Sequence, residues 1–137
     1  MNSQSWAILG EVAHPDRAVH CMNAVEKHLK LDIGYRVVYP PFVTYDPRVG
    51  QSSTQPPGQT ENGGVYNHAY RFKLVADCLL GRAEEAWDTF LKVAPDNPDN
   101  PISQSMAEPF AFVNKFWLEE ANGPLAKGYS RGYCDAV

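Results

Sequence analysis

Residues 56–81, PPGQTENGGVYNHAYRFKLVADCLLG, set a carboxylate, a carboxamide, two glycines, a phenol, a second carboxamide and an imidazole directly before an apolar helical run. Glu61, Asn62, Tyr66, Asn67 and His68 together offer hydrogen-bond acceptors, donors and an imidazole. Polar residues also populate ordinary solvated loops, so residue types alone leave a structural role open. Their crowding, at a point where the chain must also tuck against a helix, marks a candidate site.

Chemistry elsewhere in the sequence is thinner. His14, His20 and His28 stand six and eight residues apart, not at the i, i+4 spacing of a helical metal pair, and read as surface residues. Cys21, Cys78 and Cys134 are odd in number and contain no C-x-x-C pair. That argues against a disulfide framework and a structural zinc site, and makes a reducing cytoplasm the simplest location. No metal and no bound cofactor is expected. Cys78 reads as a small hydrophobe on the buried face of a helix. Asp46 and Arg48 are placed to pair with each other or cap a loop; Glu84, Glu85 and Asp88 form a solvated helix face. Tyr39, Phe42 and Tyr45 could stack on ligand rings, although aromatic residues beside prolines are more often packing anchors.

Composition bounds the partners. The chain has 137 residues, 44% of them apolar and 12% aromatic, enough to bury a core in one domain or in one piece of a larger one. A formal charge of −4 with no basic run gives no electrostatic footprint for nucleic acid or an acidic membrane surface. No apolar stretch approaches the roughly 18 residues a spanning helix needs, and the opening MNSQSW lacks a signal-peptide pattern. Small ligands recognised locally remain.

The elements that must position the candidate site are mostly helical. Ser3 can cap a helix over 3–12 that buries Trp6 and Leu9. A second is expected over 15–30, with Ala18, Cys21, Met22, Val25 and Leu29 on its apolar face. Residues 32–66 break the period with five prolines and five glycines, leaving at most IGYRVVY as a short strand within a functional loop. Helices follow over 67–80 and 82–93, joined so tightly at Gly81 that they must fold back as a hairpin. The second of them is expected to bury Ala83, Ala86, Trp87 and Phe90. After PDNPDNP, the spacing of Phe110, Val113, Phe116 and Trp117 predicts a helix over 106–120; the tail has no period. Tight joins alternating with long polar ones suit a barrel of helical hairpins, a pattern that bundles and solenoids share.

The stretches YPPFVTYDPRVG (39–50), PPGQTENGGVYNHAYRFKLVADCLLGRAEEAW (56–87), LKVAPDNPDNP (91–101) and EPFAFVNKF (108–116) together resemble the late catalytic-domain segment of glycoside hydrolase family 94. That family comprises cellobiose, chitobiose and related disaccharide phosphorylases and the phosphorylase-like region of cyclic β-glucan synthases. The resemblance runs from about Ser5 to Lys115, and P-G-x-x-E-N-G…H is its specific part. It implies a mainly α fold, antiparallel helical hairpins forming part of an (α/α)6 barrel, with residues 1–137 one partial catalytic-domain fragment. It implies reversible, inverting phosphorolysis of a β-linked disaccharide or oligosaccharide to sugar 1-phosphate, with inorganic phosphate as co-substrate. Glu61 matches the sugar-binding glutamate and His68 the phosphate-binding histidine, with Thr60, Asn62 and Tyr66 beside them on the sugar side.

Departures from the family pattern are specific. Thr60 stands where many members carry lysine. The general-acid aspartate is expected upstream of the part matching Ser5, the phosphate-gripping arginine further upstream, and the downstream W-x-T-G-T segment does not appear in GPLAKGYSRGYCDAV. The implied partners are thus sugar, phosphate and the rest of the catalytic chain, or a homo-oligomer that covers exposed helix faces. A non-catalytic helical scaffold or carbohydrate-binding module is the alternative reading.

Overall fold

A computed structural model describes residues 1–99, 103, 107, 108, 110–118 and, for the backbone, 127–129. Four α-helices, α1 (Asn2–Leu9), α2 (Pro15–Leu29), α3 (Asn67–Leu79) and α4 (Ala83–Val93), and a short 3-10 helix (Gly50–Thr54) occur among them. Five short strands accompany them: β1 (Lys30–Leu31), β2 (Gly34–Tyr35), β3 (Val65–Tyr66), β4 (Lys115–Trp117) and β5 (Lys127–Tyr129). β1 and β2 form an antiparallel pair, and β3, β4 and β5 form a three-stranded antiparallel sheet in that order.

α2 follows its sequence signals closely. Pro15 occupies the first turn, where a missing N–H costs nothing, and Asp16 complements the helix dipole there. Ala18, Met22, Val25 and Leu29 are buried. α1 is shorter than the sequence predicts: it ends at Leu9, because Gly10 leaves the helix and Glu11 takes a left-handed φ of 55°. Trp6 is half-exposed rather than buried; its ring packs on Phe72 of α3, centroids 4.8 Å apart.

α3 and α4 pack together across Leu80, Gly81 and Arg82, with Gly81 at φ 70°. The buried line of α4 is Ala86, Thr89 and Val93. Trp87 and Phe90, expected inside, face outward at 58% and 40% exposure and stack on each other. The register of α4 is set by Thr89, whose hydroxyl accepts a hydrogen bond from Lys73 on α3, and that contact turns the two aromatic residues out. Cys78 is likewise exposed, because the buried line of α3 runs through Ala69, Tyr70, Lys73, Ala76 and Asp77.

The core joins Met22 and Val25 of α2, Tyr35, Val65, Tyr70, Ala76, Val113 and Phe116. Tyr70 is its hinge point: its hydroxyl accepts from the Tyr35 N–H at 2.6 Å and donates to the Ile33 carbonyl. Gly34, at φ 144°, makes room for that hydroxyl, since a Cβ there would fall 1.1 Å from it. No side chain fits.

The helix expected over 106–120 is not formed where that segment is described. Residues 115–117 are strand β4, pairing with β3. Helical spacing of Val113, Phe116 and Trp117 misled because the carbonyls of Val113 and Asn114 accept from the side chain and backbone N–H of Asn67 instead of from residues four further on. Tertiary pairing with the open edge of β3 overrides local period. Phe110, also on the predicted apolar face, is 80% exposed.

Candidate functional site

The PPGQTENGG stretch folds as consecutive tight turns. The Asn62 N–H donates to Gln59 O, the Gly58 N–H to Asn62 O and the Gly64 N–H to Thr60 O, all within 3.0 Å. Thr60 sits at φ 43° and Gly63 at φ 93°, so the bend draws on left-handed backbone twice in four residues. Gly63 is seated against Pro41 and the Val38 carbonyl, which brings the two proline-rich loops together.

Asn62 is the clamp between those loops. It is 0% exposed; its Oδ1 accepts from the Phe42 N–H at 2.7 Å, and its Nδ2 donates to the carbonyls of Phe42 and Gln55 at 2.8 and 2.7 Å. The sequence reading groups Asn62 with the sugar contacts. In the structure its carboxamide is spent on backbone, and its role is to hold the loop that carries its neighbours. Thr60 is also turned in, its hydroxyl buried and without a hydrogen-bond partner among the described residues.

Glu61 points the other way and is exposed. Its carboxylate accepts one long hydrogen bond, 3.4 Å, from the Tyr66 hydroxyl. The alternation of β3 explains the meeting: Val65 enters the core and Tyr66 turns out toward Glu61. α3 then starts at Asn67, which leaves His68 in its first turn, exposed. The His68 ring stands edge-on to Phe72, one turn along, at 4.9 Å, and Phe72 leans on Trp6. An aromatic file from α1 thus orients the imidazole. The N-terminus of α3 has no side-chain cap, and the Asn67 N–H is taken by Asn114 O. First-turn N–H groups without a side-chain cap thus lie next to an imidazole, donors of a kind that can meet an anion.

Asp46 and Arg48, expected to pair, do so through two side-chain hydrogen bonds on the surface; donation to the Asp46 carboxylate from the Arg48 guanidinium first, and from the Arg48 backbone N–H second, lowers the Asp46 pKa. Tyr39 is half-exposed, with the Arg36 guanidinium 4.9 Å from its ring centre. Tyr39 also lines a groove of about 440 Å³ with Asn2, His28 and Val37; Glu61 and His68 are not part of that groove. Tyr45 is exposed and Phe42 half-buried. His14, His20 and His28 are exposed.

The group that sequence reasoning passes over lies inside the fold, on the same helix as His68. Lys73, fully buried, donates to Asp77 (2.6 Å), Glu26 (2.7 Å) and Thr89 (2.8 Å), and its ammonium lies 4.2 Å from the Tyr35 ring centre. The Tyr35 hydroxyl donates to Glu26, and the Arg82 Nε donates to Asp77. α2, β2, α3 and α4 are tied by this one network. A legible signal existed: Lys73 interrupts the apolar line of α3 and has an acid four residues on. Burial acts first to raise the Glu26 pKa, but hydrogen bonds from Lys73 and Tyr35 and the charges of Lys73 and Lys30 outweigh it and hold the carboxyl below its ordinary 4.5.

Comparison with known proteins converges on the same family. Residues 1–123 match the model of the Glycosyl hydrolase 94 superfamily, catalytic domain. The chain is 40% identical over 117 residues to solabiose phosphorylase of Paenibacillus borealis, covering 85% of this chain and 15% of that protein. It is also 40% identical over 124 residues to a 3-O-beta-D-glucopyranosyl-beta-D-glucuronide phosphorylase of the same organism, covering 90% and 16%. Against N,N'-diacetylchitobiose phosphorylase of Vibrio proteolyticus the figures are 29% over 113 residues, 82% and 14%. The chain belongs to the glycosyl hydrolase 94 superfamily, as a segment of its catalytic domain. It spans about a sixth or less of the length of these relatives. Among the described residues no helix is long and apolar enough to cross a membrane.

Proposed function

We propose that this chain is the sugar- and phosphate-holding segment of an inverting glycoside phosphorylase acting on a β-linked disaccharide or oligosaccharide. In that reaction a phosphate oxygen attacks the anomeric carbon, the bond to the leaving oxygen breaks, and a carboxylic acid delivers a proton to that oxygen. The products are a sugar 1-phosphate of inverted configuration and a shortened sugar. Phosphate replaces the base-activated water of an inverting hydrolase, so one acid suffices.

Glu61 accepts hydrogen bonds from sugar hydroxyls with Tyr66 beside it, and His68 with the uncapped start of α3 receives phosphate. The observation that carries this reading is the divergence of Glu61 from Asn62: adjacent in sequence, one is exposed with a single long contact while the other is buried and fully used. The proton comes from an aspartate elsewhere in the catalytic domain. The helices belong to an (α/α)6 barrel, and the outward Trp87–Phe90 stack is covered by the rest of that domain or by another copy. The relatives' names carry different sugars, so the family leaves the sugar open.

Calorimetric titration of the purified chain with inorganic phosphate and with glucose tests the reading. Both should bind weakly, and no sugar 1-phosphate should form from disaccharide and phosphate. His68→Ala should abolish phosphate binding while sparing the sugar. Equal losses for both ligands would remove the role given to His68, and turnover by the chain alone would put the proton donor inside it.

A further inference from the structure

The β3–β4 ribbon carries groups that the loop motif does not include. Its register sets Val65 opposite Phe116 and Tyr66 opposite Lys115. Opposed residues share a face and neighbours along a strand alternate. Val65 and Phe116, 0% and 1% exposed, are the inward pair. Tyr66, Lys115 and Trp117 therefore share the outward face, each half-buried. The Lys115 ammonium lies 5.5 Å from the Tyr66 ring centre and 5.7 Å from that of Trp117. Two aromatic rings at that range hold a cation in place without neutralising it. Among the described residues no carboxylate forms an ion pair with Lys115.

This face is continuous with the candidate site, because the Tyr66 hydroxyl donates to Glu61. It is also fixed to the same loop. The Leu118 N–H donates to the Gly58 carbonyl at 2.8 Å, and a Cβ on Gly58 would fall 2.3 Å from the Leu118 oxygen. At the other end the Asn67 N–H donates to the Asn114 carbonyl at 2.9 Å. The strand bearing Lys115 and the loop bearing Glu61 are thus joined by backbone hydrogen bonds at both ends.

A ligand that satisfies this face must bring hydroxyl donors for Glu61, an apolar ring face for the aromatic side chains, and an anionic acceptor for Lys115. We infer that Lys115 recognises an oxyanion carried on, or lying next to, the sugar that Glu61 holds, with Tyr66 and Trp117 against the sugar ring. The oxyanion is a ring carboxylate or inorganic phosphate; both offer the same acceptor chemistry. This rests on the sugar-binding reading of Glu61.

The test titrates the full chain with glucose, glucuronate and inorganic phosphate, comparing the wild type with Lys115→Met and Lys115→Arg by calorimetry, with the fold checked by circular dichroism. Lys115→Met should weaken one or both anions about tenfold and glucose less than about twofold; Lys115→Arg should restore most of the loss. A loss confined to glucuronate names the sugar carboxylate as the partner, and one confined to phosphate names the phosphate. Equal effects of Lys115→Met on all three ligands, or none, overturn the inference and leave the Glu61 reading standing. Should Lys115→Met fail to fold, Lys115→Gln replaces it under the same criteria. Glu61→Gln serves as the separate control: if wild type and Glu61→Gln bind glucose alike, the sugar reading falls and this inference with it.

Discussion

Lys73 and His68 lie five residues apart on α3, and the structure treats them in opposite ways. Lys73 is enclosed by Asp77, Glu26, Thr89 and the Tyr35 ring, every contact with Nζ short and buried. His68 is exposed and touches one aromatic edge; Glu61, beyond the strand, has one long hydrogen bond. A charge removed from water must find its partners inside the fold, and Lys73 has done so. Glu61 and His68 instead stand at the surface with most of their bonding capacity unspent. Ionisable residues of the first kind hold the frame; those of the second kind are what the frame displays.

The sharpest way to break this comparison is Lys73→Met, which keeps the stem and deletes the charge. Asp77 then keeps only Arg82 and Glu26 only Lys30 in place of the ammonium they share, and unfolding in denaturant should show a loss of about 3–5 kcal/mol. His68→Ala should leave the denaturation midpoint nearly unchanged. If the two variants were equally destabilised, the division between frame and display would fail.

Next in size, Gly34→Ala should cost about 1–3 kcal/mol, because the added carbon meets the Tyr70 hydroxyl on which the Tyr35 N–H and the Ile33 carbonyl depend. A thermal melt measures it. Asn62→Ala should cost about 1–3 kcal/mol by stranding groups of Phe42 and Gln55. Unlike Gly34→Ala, it should also weaken sugar binding, since it releases the loop that presents Glu61. A variant that loses stability but binds sugar normally would detach the clamp from the site.

Acid gives a gentler probe. The Glu26 pKa is held below 4.5 in the folded chain, so its ionised form adds stability that is fully present above its unfolded value and drains away as pH falls through the folded one. Stability should therefore decline below about pH 4.5, and Glu26→Gln should flatten that decline while lowering the plateau above it. An unchanged slope in Glu26→Gln would assign the acid sensitivity to other carboxylates. Smallest of all, Glu61→Gln should leave the melting curve in place and register only in sugar titrations.

Much of this was readable from residues alone, and the failures share a cause. α2, α3 and α4 announce themselves through period, Pro15 and Gly81, which are local signals. The motif around Glu61 and His68 was legible as polar groups crowded into one run. The exposure of Trp87 and Phe90 was not, because one long-range hydrogen bond between Lys73 and Thr89 sets the rotation of α4. Nor was β4, whose helical spacing yields to the open edge of β3 and to Asn67. Asn62 looked like a ligand contact because its type and place in the motif agree with one, and only coordinates reveal that its amide already has three backbone partners.

Asn62 is followed by Gly63, the dipeptide most susceptible to spontaneous deamidation in flexible chains. Here the carboxamide is pinned on both its oxygen and its nitrogen, which slows that chemistry while the fold lasts. Heat or partial unfolding would lift the protection. Conversion to aspartate would then set a carboxylate against the carbonyls of Phe42 and Gln55, so that a single aged residue would bar the loop from closing again.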